Sequence, residues 1–330
     1  MRVAIVGASG YTGLELLRWV RRHPELELEA VTSEQRAGRP VGEAFPPLRA
    51  LVDLRFEALD PERLAGRVDA AFAALPHAAS APAVAALRKA GVKVVDLSAD
   101  FRLRDPEVYR AWYGEHGAPE LFGKAVYGLP ELHREALRGA ELVAAPGCYP
   151  TSALIPLAPF LREGMLAEGP IFVDSKSGVS GAGRKVDEAF LYAELEGNAK
   201  AYKVTTHRHA PEIGQEASAL AGRPVAVTFV PHLIPVVRGI LTSVLVRPAR
   251  TLQPGEAREL LAATYADSPF VRVLPEGETP SLTAVRGSNF CDVGAFLDDR
   301  AGTLVLLSAV DNLVKGAGGQ AIQCLNLMEG

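Results

Sequence analysis

Arg2-Val3-Ala4-Ile5-Val6-Gly7-Ala8-Ser9-Gly10-Tyr11-Thr12-Gly13 opens the chain, and its reading decides the fold. The apolar run over 2–6 predicts a buried strand. Residues 12–23 predict a helix that Pro24 ends, and the glycines between them predict a tight turn. A strand, a glycine turn and a helix in this order aim backbone N–H groups and a helix N-terminus at a pyrophosphate. The spacing is G-x-x-G-x-x-G rather than G-x-G-x-x-G, but the strand before it and the helix after it are the context that gives such a motif meaning. Gly7, Ser9, Gly10, Tyr11, Thr12 and Gly13 are therefore the expected cofactor-binding residues. The plainer alternative is a glycine-rich turn that binds nothing.

Working outward, strands are expected over 26–31, 70–75, 93–97 and 142–145, with a helix over 79–90. Alternation of this kind implies a parallel sheet with right-handed crossovers. Further strands over 171–174, 225–230, 240–246, 291–297 and 303–309 are mostly separated by loops. They predict an α+β domain with a mixed, largely antiparallel sheet. Residues 312–328 read as helical despite Gly316-Ala317-Gly318-Gly319, where glycine implies close approach of a backbone or a cofactor. The expected fold is α/β. A Rossmann-type dinucleotide-binding domain over 1–147 with 312–330 carries an inserted catalytic and oligomerisation domain over 148–311.

Composition bounds the partners. A chain of 330 residues suits two cores, and 48% hydrophobic with 22% charged residues is a globular balance. A formal net charge of -4 argues against a nucleic-acid binder. No apolar run approaches the length of a membrane span, and the N-terminus reads as a strand rather than a signal peptide. The cysteines are Cys148, Cys291 and Cys324, a sparse, odd set without C-x-x-C spacing. Neither a disulfide framework nor a structural zinc site is expected, and a reducing cytoplasm is.

The end of the second strand bears on the choice between NAD and NADP. An NAD site places an acid there for the ribose 2′-OH. The chain reads Thr32-Ser33-Glu34-Gln35-Arg36. Ser33 and Arg36 suit a 2′-phosphate through charge-assisted hydrogen bonds, whereas Glu34 would repel it if turned inward. NADP is the expectation.

Cys148 lies in Ala145-Pro146-Gly147-Cys148-Tyr149-Pro150-Thr151, between a strand and an apolar helical run. A helix N-terminus favours a thiolate, so Cys148 is a candidate nucleophile, against the reading of a buried inert thiol. Tyr149-Pro150 would give it an apolar wall. Cys291 and Cys324 are assigned to packing. His207-Arg208-His209 follows strand-like residues 201–206. On an extended chain both rings would share a face, available as acid, base or thiolate partner. A metal site of His207, His209 and His232 is the rival, disfavoured because no carboxylate or cysteine stands at ligand spacing. A second glycine loop, Ser177-Gly178-Val179-Ser180-Gly181-Ala182-Gly183, offers N–H groups to a nicotinamide or an oxyanion.

Taken with Leu75-Pro76-His77, Asp96-Leu97-Ser98-Ala99-Asp100-Phe101-Arg102, Tyr127-Gly128-Leu129-Pro130-Glu131, Pro211-Glu212-Ile213, Pro231-His232-Leu233-Ile234-Pro235, Gly287-Ser288-Asn289 and Asp311-Asn312-Leu313-Val314-Lys315-Gly316, these motifs resemble the N-acetyl-gamma-glutamyl-phosphate reductase family. That family is the arginine-biosynthesis branch of the aspartate-semialdehyde dehydrogenase superfamily. The resemblance covers nearly the whole chain. It implies an NADP-dependent enzyme that reduces a small acyl phosphate to an aldehyde through a cysteinyl thioester, as a homo-oligomer (dimer or tetramer). By resemblance Cys148 is the nucleophile and His207 the acid/base, with His209 the fallback. Arg102 and Glu212 are substrate contacts, His209 stands among them, and Ser180, Gly181 and Asn312 are cofactor contacts. No metal is implied. Val236-Val237 stands where many members carry methionine. A lysine-pathway relative acting on a carrier-linked aminoadipyl phosphate usually reads Asn-Ala-Thr after the cysteine; Tyr149-Pro150-Thr151 favours the arginine branch. A non-catalytic dinucleotide sensor is the alternative from another class.

Overall fold

A computed structural model describes residues 1–184 and 187–330. The chain divides into two compact units, Met1–Pro146 with Ala317–Gly330, and Gly147–Gly316. The return to the first unit thus falls five residues beyond Asn312, inside a π-helical turn over Val314–Gly318 rather than at the start of a regular helix.

The first unit holds a six-stranded sheet made of β1 (Arg2–Val6), β2 (Glu27–Val31), β3 (Ala70–Ala73), β4 (Lys93–Asp96), β5 (Val126–Tyr127) and β6 (Leu142–Ala144). Its order is β2-β1-β3-β4-β6-β5, with every pairing parallel. β3 and β6 are buried along their whole length, and β1 from Val3 onward, as strands covered on both faces must be. One face packs Leu16, Leu17 and Val20 of the Tyr11–Val20 helix together with Ala321, Ile322 and Leu325 of the C-terminal helix, Gly319–Glu329. The other packs Ala81, Val84 and Leu87 of the Ser80–Lys89 helix. The order reverses between β1 and β3. Crevices beyond the carboxyl ends of strands at such a reversal are where open α/β sheets bind ligands.

The second unit is built on a seven-stranded mixed sheet, β7 (Ile171–Ser177), β8 (Lys200–Ala201), β9 (Val227–Leu233), β10 (Ile240–Val246), β11 (Val271–Val273), β12 (Cys291–Asp298) and β13 (Thr303–Val310). The order is β11-β12-β13-β10-β7-β9-β8. Only β7–β9 and β11–β12 are parallel. The Cys148–Arg162 helix lies against β10, β12 and β13, with Tyr149 through Leu161 all buried. Pro156 and Pro159 sit inside this helix and remove the donors that would have met the carbonyls of Ser152 and Ile155. Ser308 Oγ donates to the first carbonyl at 2.6 Å and Tyr265 Oη to the second. A hydroxyl chain of Ser152, Thr242 and Ser175, at 2.7 and 2.8 Å, pins the same helix to the sheet. Among the described residues no helix is long and apolar enough to cross a membrane.

The strand expected over 201–206 does not form. β8 ends at Ala201, and Lys203 and Thr205 take positive φ values of 46° and 61°. The chain therefore turns before His207, and the two histidines do not lie on an extended strand.

Candidate active site

In the first unit the glycine turn is fixed from below. Gly7 N–H donates to Thr32 Oγ1 at 3.2 Å and Ala8 N–H to Thr32 O at 2.9 Å, which ties the turn to the end of β2. Two glycines answer to the fold itself. Gly7 has φ +78°, and a Cβ there would meet Ala74 O at 2.9 Å; at Gly13 it would meet Ala8 O at 2.1 Å. Gly10 is different, since a Cβ there would meet nothing within 4 Å. It is the N-cap of the Tyr11–Val20 helix, with no side-chain cap and no acid in the first turn. Such a helix start suits an anion, and the space over Gly10 leaves room for one. Ser9 and Thr12 are half-buried beside it, and Tyr11 is exposed. At the end of β2, Ser33 is buried and Arg36 half-buried, joined by Arg36 N–H to Ser33 O at 3.2 Å.

Arg102 is buried in the same unit. Its Nε donates to Ala145 O and its Nη2 to Leu97 O, both at 2.8 Å, so the guanidinium ties the ends of β4 and β6 together. Sequence reasoning passed over the carboxylates of the neighbouring loop. Asp96 is fully buried and accepts from Ser80 Oγ and Ser98 Oγ, each at 2.6 Å. Burial pushes its carboxyl up to about 6, against the pull of those hydroxyls. Asp100 accepts from Ala78 N–H, Ala81 N–H and Tyr109 Oη, and His77 Nδ1 accepts from Ala99 N–H. The loops after β3 and β4 are thus joined to each other. The available signal was two aspartates at the carboxyl end of a buried strand.

The second unit carries the thiol. Cys148 is the first residue of its helix and is partly exposed, whereas Cys291 and Cys324 are buried. Gly147 caps the helix with φ −66° and ψ 155°, and its N–H donates to Glu212 Oε1 at 2.8 Å. Glu212 itself is 1% exposed, in the first turn of the Ala210–Ala221 helix. His209 caps that helix, and its ring lies directly over Gly147: a Cβ on Gly147 would be 2.5 Å from Nε2. Gly316 backs onto the other side, where a Cβ would be 2.7 Å from the Cys148 Cβ. Cys148 is therefore held between two glycines that admit close neighbours.

His207 is placed differently. Its Nδ1 accepts the His209 backbone N–H at 3.1 Å, which puts the proton of the neutral ring on Nε2, the nitrogen facing Tyr202 Oη at 3.5 Å. Burial, with Lys203 and Arg208 nearby, lowers its pKa to about 4. Tyr149 is 2% exposed and forms no open wall beside the thiol. It packs under His207 and His209, with centroids 5.3 and 5.8 Å away, and its hydroxyl meets that of Tyr202 at 2.9 Å. Burial raises both phenols, Tyr202 to about 12, so both stay protonated. Tyr202 is a second residue the sequence reading missed, because only the turn at 203–205 brings it back to the histidines.

Ser180, Gly181 and Asn312 form one assembly. Asn312 Nδ2 donates to Ser180 Oγ at 2.9 Å, and its Oδ1 accepts Gly239 N–H at 2.8 Å. A Cβ at Gly181 would meet Asn312 Nδ2 at 3.6 Å. Asn312 thereby sets the turn over Val179–Ala182 against the loop 234–239. Among the described residues no three histidine, cysteine or acidic side chains gather as metal ligands.

A dinucleotide-type unit joined to a cysteine-bearing mixed-sheet unit is the build of the semialdehyde dehydrogenases. The family model described as "Semialdehyde dehydrogenase, NAD binding domain" matches residues 2–140, and that described as "Semialdehyde dehydrogenase, dimerisation domain" matches 148–312. Among solved structures, an aspartate semialdehyde dehydrogenase II from Vibrio cholerae superposes with a TM-score of 0.73 at 18% identity, covering 99% of this chain and 97% of that one. One from Candida albicans gives 0.70 at 16%, covering 99% and 97%. At such identities the likeness speaks to the fold. Sequence similarity goes further. N-acetyl-gamma-glutamyl-phosphate reductases of Geotalea daltonii and Pelobacter propionicus are 52% and 51% identical over 331 residues, covering 100% of this chain and 96% of each relative. The chain belongs to the N-acetyl-gamma-glutamyl-phosphate reductase family.

Proposed function

We propose that the chain reduces N-acetyl-gamma-glutamyl phosphate to N-acetylglutamate 5-semialdehyde and phosphate, with NADPH, through a thioester on Cys148, in cytoplasmic arginine biosynthesis. The observation that carries this reading is the His209 ring over Gly147, beside a partly exposed cysteine at a helix start.

The helix macrodipole favours negative charge on the Cys148 sulfur. The sulfur attacks the acyl carbon, and the carbon–oxygen bond to phosphate breaks with its electron pair leaving on phosphate. No strong acid is needed for that departure. The hydride that reduces the thioester is what a bound nicotinamide supplies. The resulting hemithioacetal collapses by breaking the carbon–sulfur bond, and the thiolate is released for the next turn. We assign the proton handling to His209 rather than His207. His207 commits Nδ1 to a backbone N–H and is held neutral, so its part is to prop the turn. Glu212 positions rather than reacts: it holds the Gly147 amide and so the first turn bearing the thiol. Arg102 and the Ser180–Asn312 assembly likewise set backbone segments in place for substrate phosphate and nicotinamide.

The glycine turn fits a dinucleotide pyrophosphate, since the uncapped helix start and the space over Gly10 are what that group requires. Ser33 and Arg36 favour the 2′-phosphorylated form. Phe172 and Leu245 pair across β7 and β10 on the exposed sheet face, at 50% and 38% exposure. That apolar pair is where we place a homo-oligomer contact.

The test is phosphate-dependent NADP reduction with three aldehydes: N-acetylglutamate semialdehyde, aspartate semialdehyde and a carrier-bound aminoadipate semialdehyde. The acetylated one should lead in kcat/KM. If either of the others comes within about tenfold, a gap of roughly 1.4 kcal/mol, the substrate is wrong and only the class stands.

A further inference from the structure

We propose that the Leu59 backbone N–H is a latch on Glu34, holding the carboxylate nearest the end of β2 off the adenosine ribose and so setting the preference for a 2′-phosphorylated cofactor. The proposal rests on the NADPH reading above and extends it to Leu59, on the outer side of the strand end.

The strand geometry gives Glu34 two sides to choose between. On the inner side β2 continues into the glycine turn: Thr32 N–H donates to Ile5 O, and Thr32 O and Oγ1 accept from Ala8 and Gly7. On the outer side runs the segment 55–59. It pairs in parallel through Thr32 and Glu57, with Glu57 N–H to Val31 O and Ser33 N–H to Glu57 O, both at 3.0 Å. Glu34 opens the short turn Glu34–Arg36 just beyond this point, and its Oε1 accepts Leu59 N–H at 2.9 Å. The carboxylate thus leans toward the outer segment, away from the pyrophosphate turn. The donor is itself fixed, because Asp60 caps the Pro61–Ala65 helix through Arg63 N–H at 3.0 Å.

The other carboxylates of this edge are neutralised. Glu57 and Glu29 meet Arg67 at 2.9 and 3.1 Å, and Arg63 stands 3.8 Å from Glu57. Among the described residues no cation pairs with Glu34, so its charge is held by a neutral donor and its direction decides what it acts on. Turned inward, it would accept from a ribose 2′-OH, as acids at this strand end do, and would repel a 2′-phosphate. The cation we place on that phosphate is Arg36, half-buried in the same turn.

The experiment is to titrate NADPH and NADH separately into the intact protein by calorimetry and to compare the ratio of their dissociation constants. Glu34→Asp keeps the charge but is one methylene too short to reach Leu59 N–H. It should cut the NADPH-over-NADH ratio by about tenfold, and Leu59→Pro, which deletes the donor, should do the same. Glu34→Gln should keep the wild-type ratio or raise it, and in that background Leu59→Pro should have no further effect. An unchanged ratio in Glu34→Asp overturns the latch, and so does a Leu59→Pro loss that persists beside Glu34→Gln. If Leu59→Pro does not fold, Glu34→Asp alone decides. A wild type that binds NADH as tightly as NADPH overturns the NADPH reading and the latch together, which separates that failure from loss of the latch alone.

Discussion

Gly147→Ala tests the site through a single methyl group. The backbone at Gly147, φ −66° and ψ 155°, is open to alanine, and the N–H given to Glu212 would remain. The added Cβ, however, would stand 2.5 Å from His209 Nε2, 2.7 Å from Cε1 and 2.9 Å from Cδ2. Ordinary contact is about 3.5 Å, so the ring must retreat by roughly 1 Å. It has little room. His207 lies 4.8 Å away and Tyr149 5.8 Å, ring to ring, and the His209 carbonyl is held by Ile213 N–H at 3.0 Å. Overpacking of this kind costs about 1–3 kcal/mol of stability. Displacement of a catalytic group by about 1 Å costs on the order of 100-fold in rate.

The assay is a two-by-two cycle of Gly147→Ala with His209→Ala, read by urea unfolding, with kcat measured for the single alanine at 147. Unfolding should register the methyl only while the ring is present, giving a coupling energy of about 1–3 kcal/mol. The Gly147→Ala enzyme should fold, bind cofactor and turn over about 100-fold more slowly. A kcat within threefold of wild type, or equal destabilisation in both backgrounds, would refute the placement of His209 beside the thiol.

Cys148→Ala should leave the circular dichroism and NADPH binding intact and fall below about a hundredth of the wild-type rate; a higher residual rate sinks the covalent route. His209→Asn should lower kcat more than His207→Asn does, and the opposite order of damage returns the acid/base role to His207. Stability should fall in acid because His207 is held near 4 in the fold, beneath an unfolded value of about 6.5. Its contribution is whole above pH 6.5 and is lost as the pH drops toward 4, at most roughly 3 kcal/mol, so pH-dependent unfolding of His207→Asn should lack that part of the slope.

The parallel sheet was legible because its strands are short apolar runs between helical segments, and the glycine turn because its flanks are a strand and a helix. β5 and β11 escaped notice, being two and three residues long and too short to show a period. β7 runs on to Ser177 where the apolar pattern stops near 174, since Asp174 and Lys176 occupy the exposed face of the sheet. The position of Cys148 at a helix start was readable from its neighbours. The placement of the two histidine rings was not. It depends on left-handed backbone at Lys203 and Thr205, residues without the glycine that normally announces such a turn. An extended reading gave both rings the same face, and the turn instead set one against a backbone amide and the other over Gly147.

The helix that presents Cys148 shows where a pattern along the chain stops being informative. Pro156 and Pro159 each argue for an end to the helix, and by local rules the run 148–162 should break at its middle. It continues because the two carbonyls the prolines orphan are met by hydroxyls 156 and 110 residues further along the sequence, on Ser308 and Tyr265. A fully buried carbonyl without such a donor costs about 1–3 kcal/mol, so neither proline would persist there unless its hydroxyl did. The prolines fix φ along the helix, while Ser308 ties it to the sheet and Tyr265 ties it to the end of the Glu256–Thr264 helix. The thiol at its first residue is thereby held on a rigid element rather than on a loop, as the near-attack geometry of the proposed nucleophile would require. Sequence shows the prolines and the hydroxyls separately; only the antiparallel pairing of β10 with β13, which sets Thr242 opposite Ser308, brings the donors of both strands under one helix.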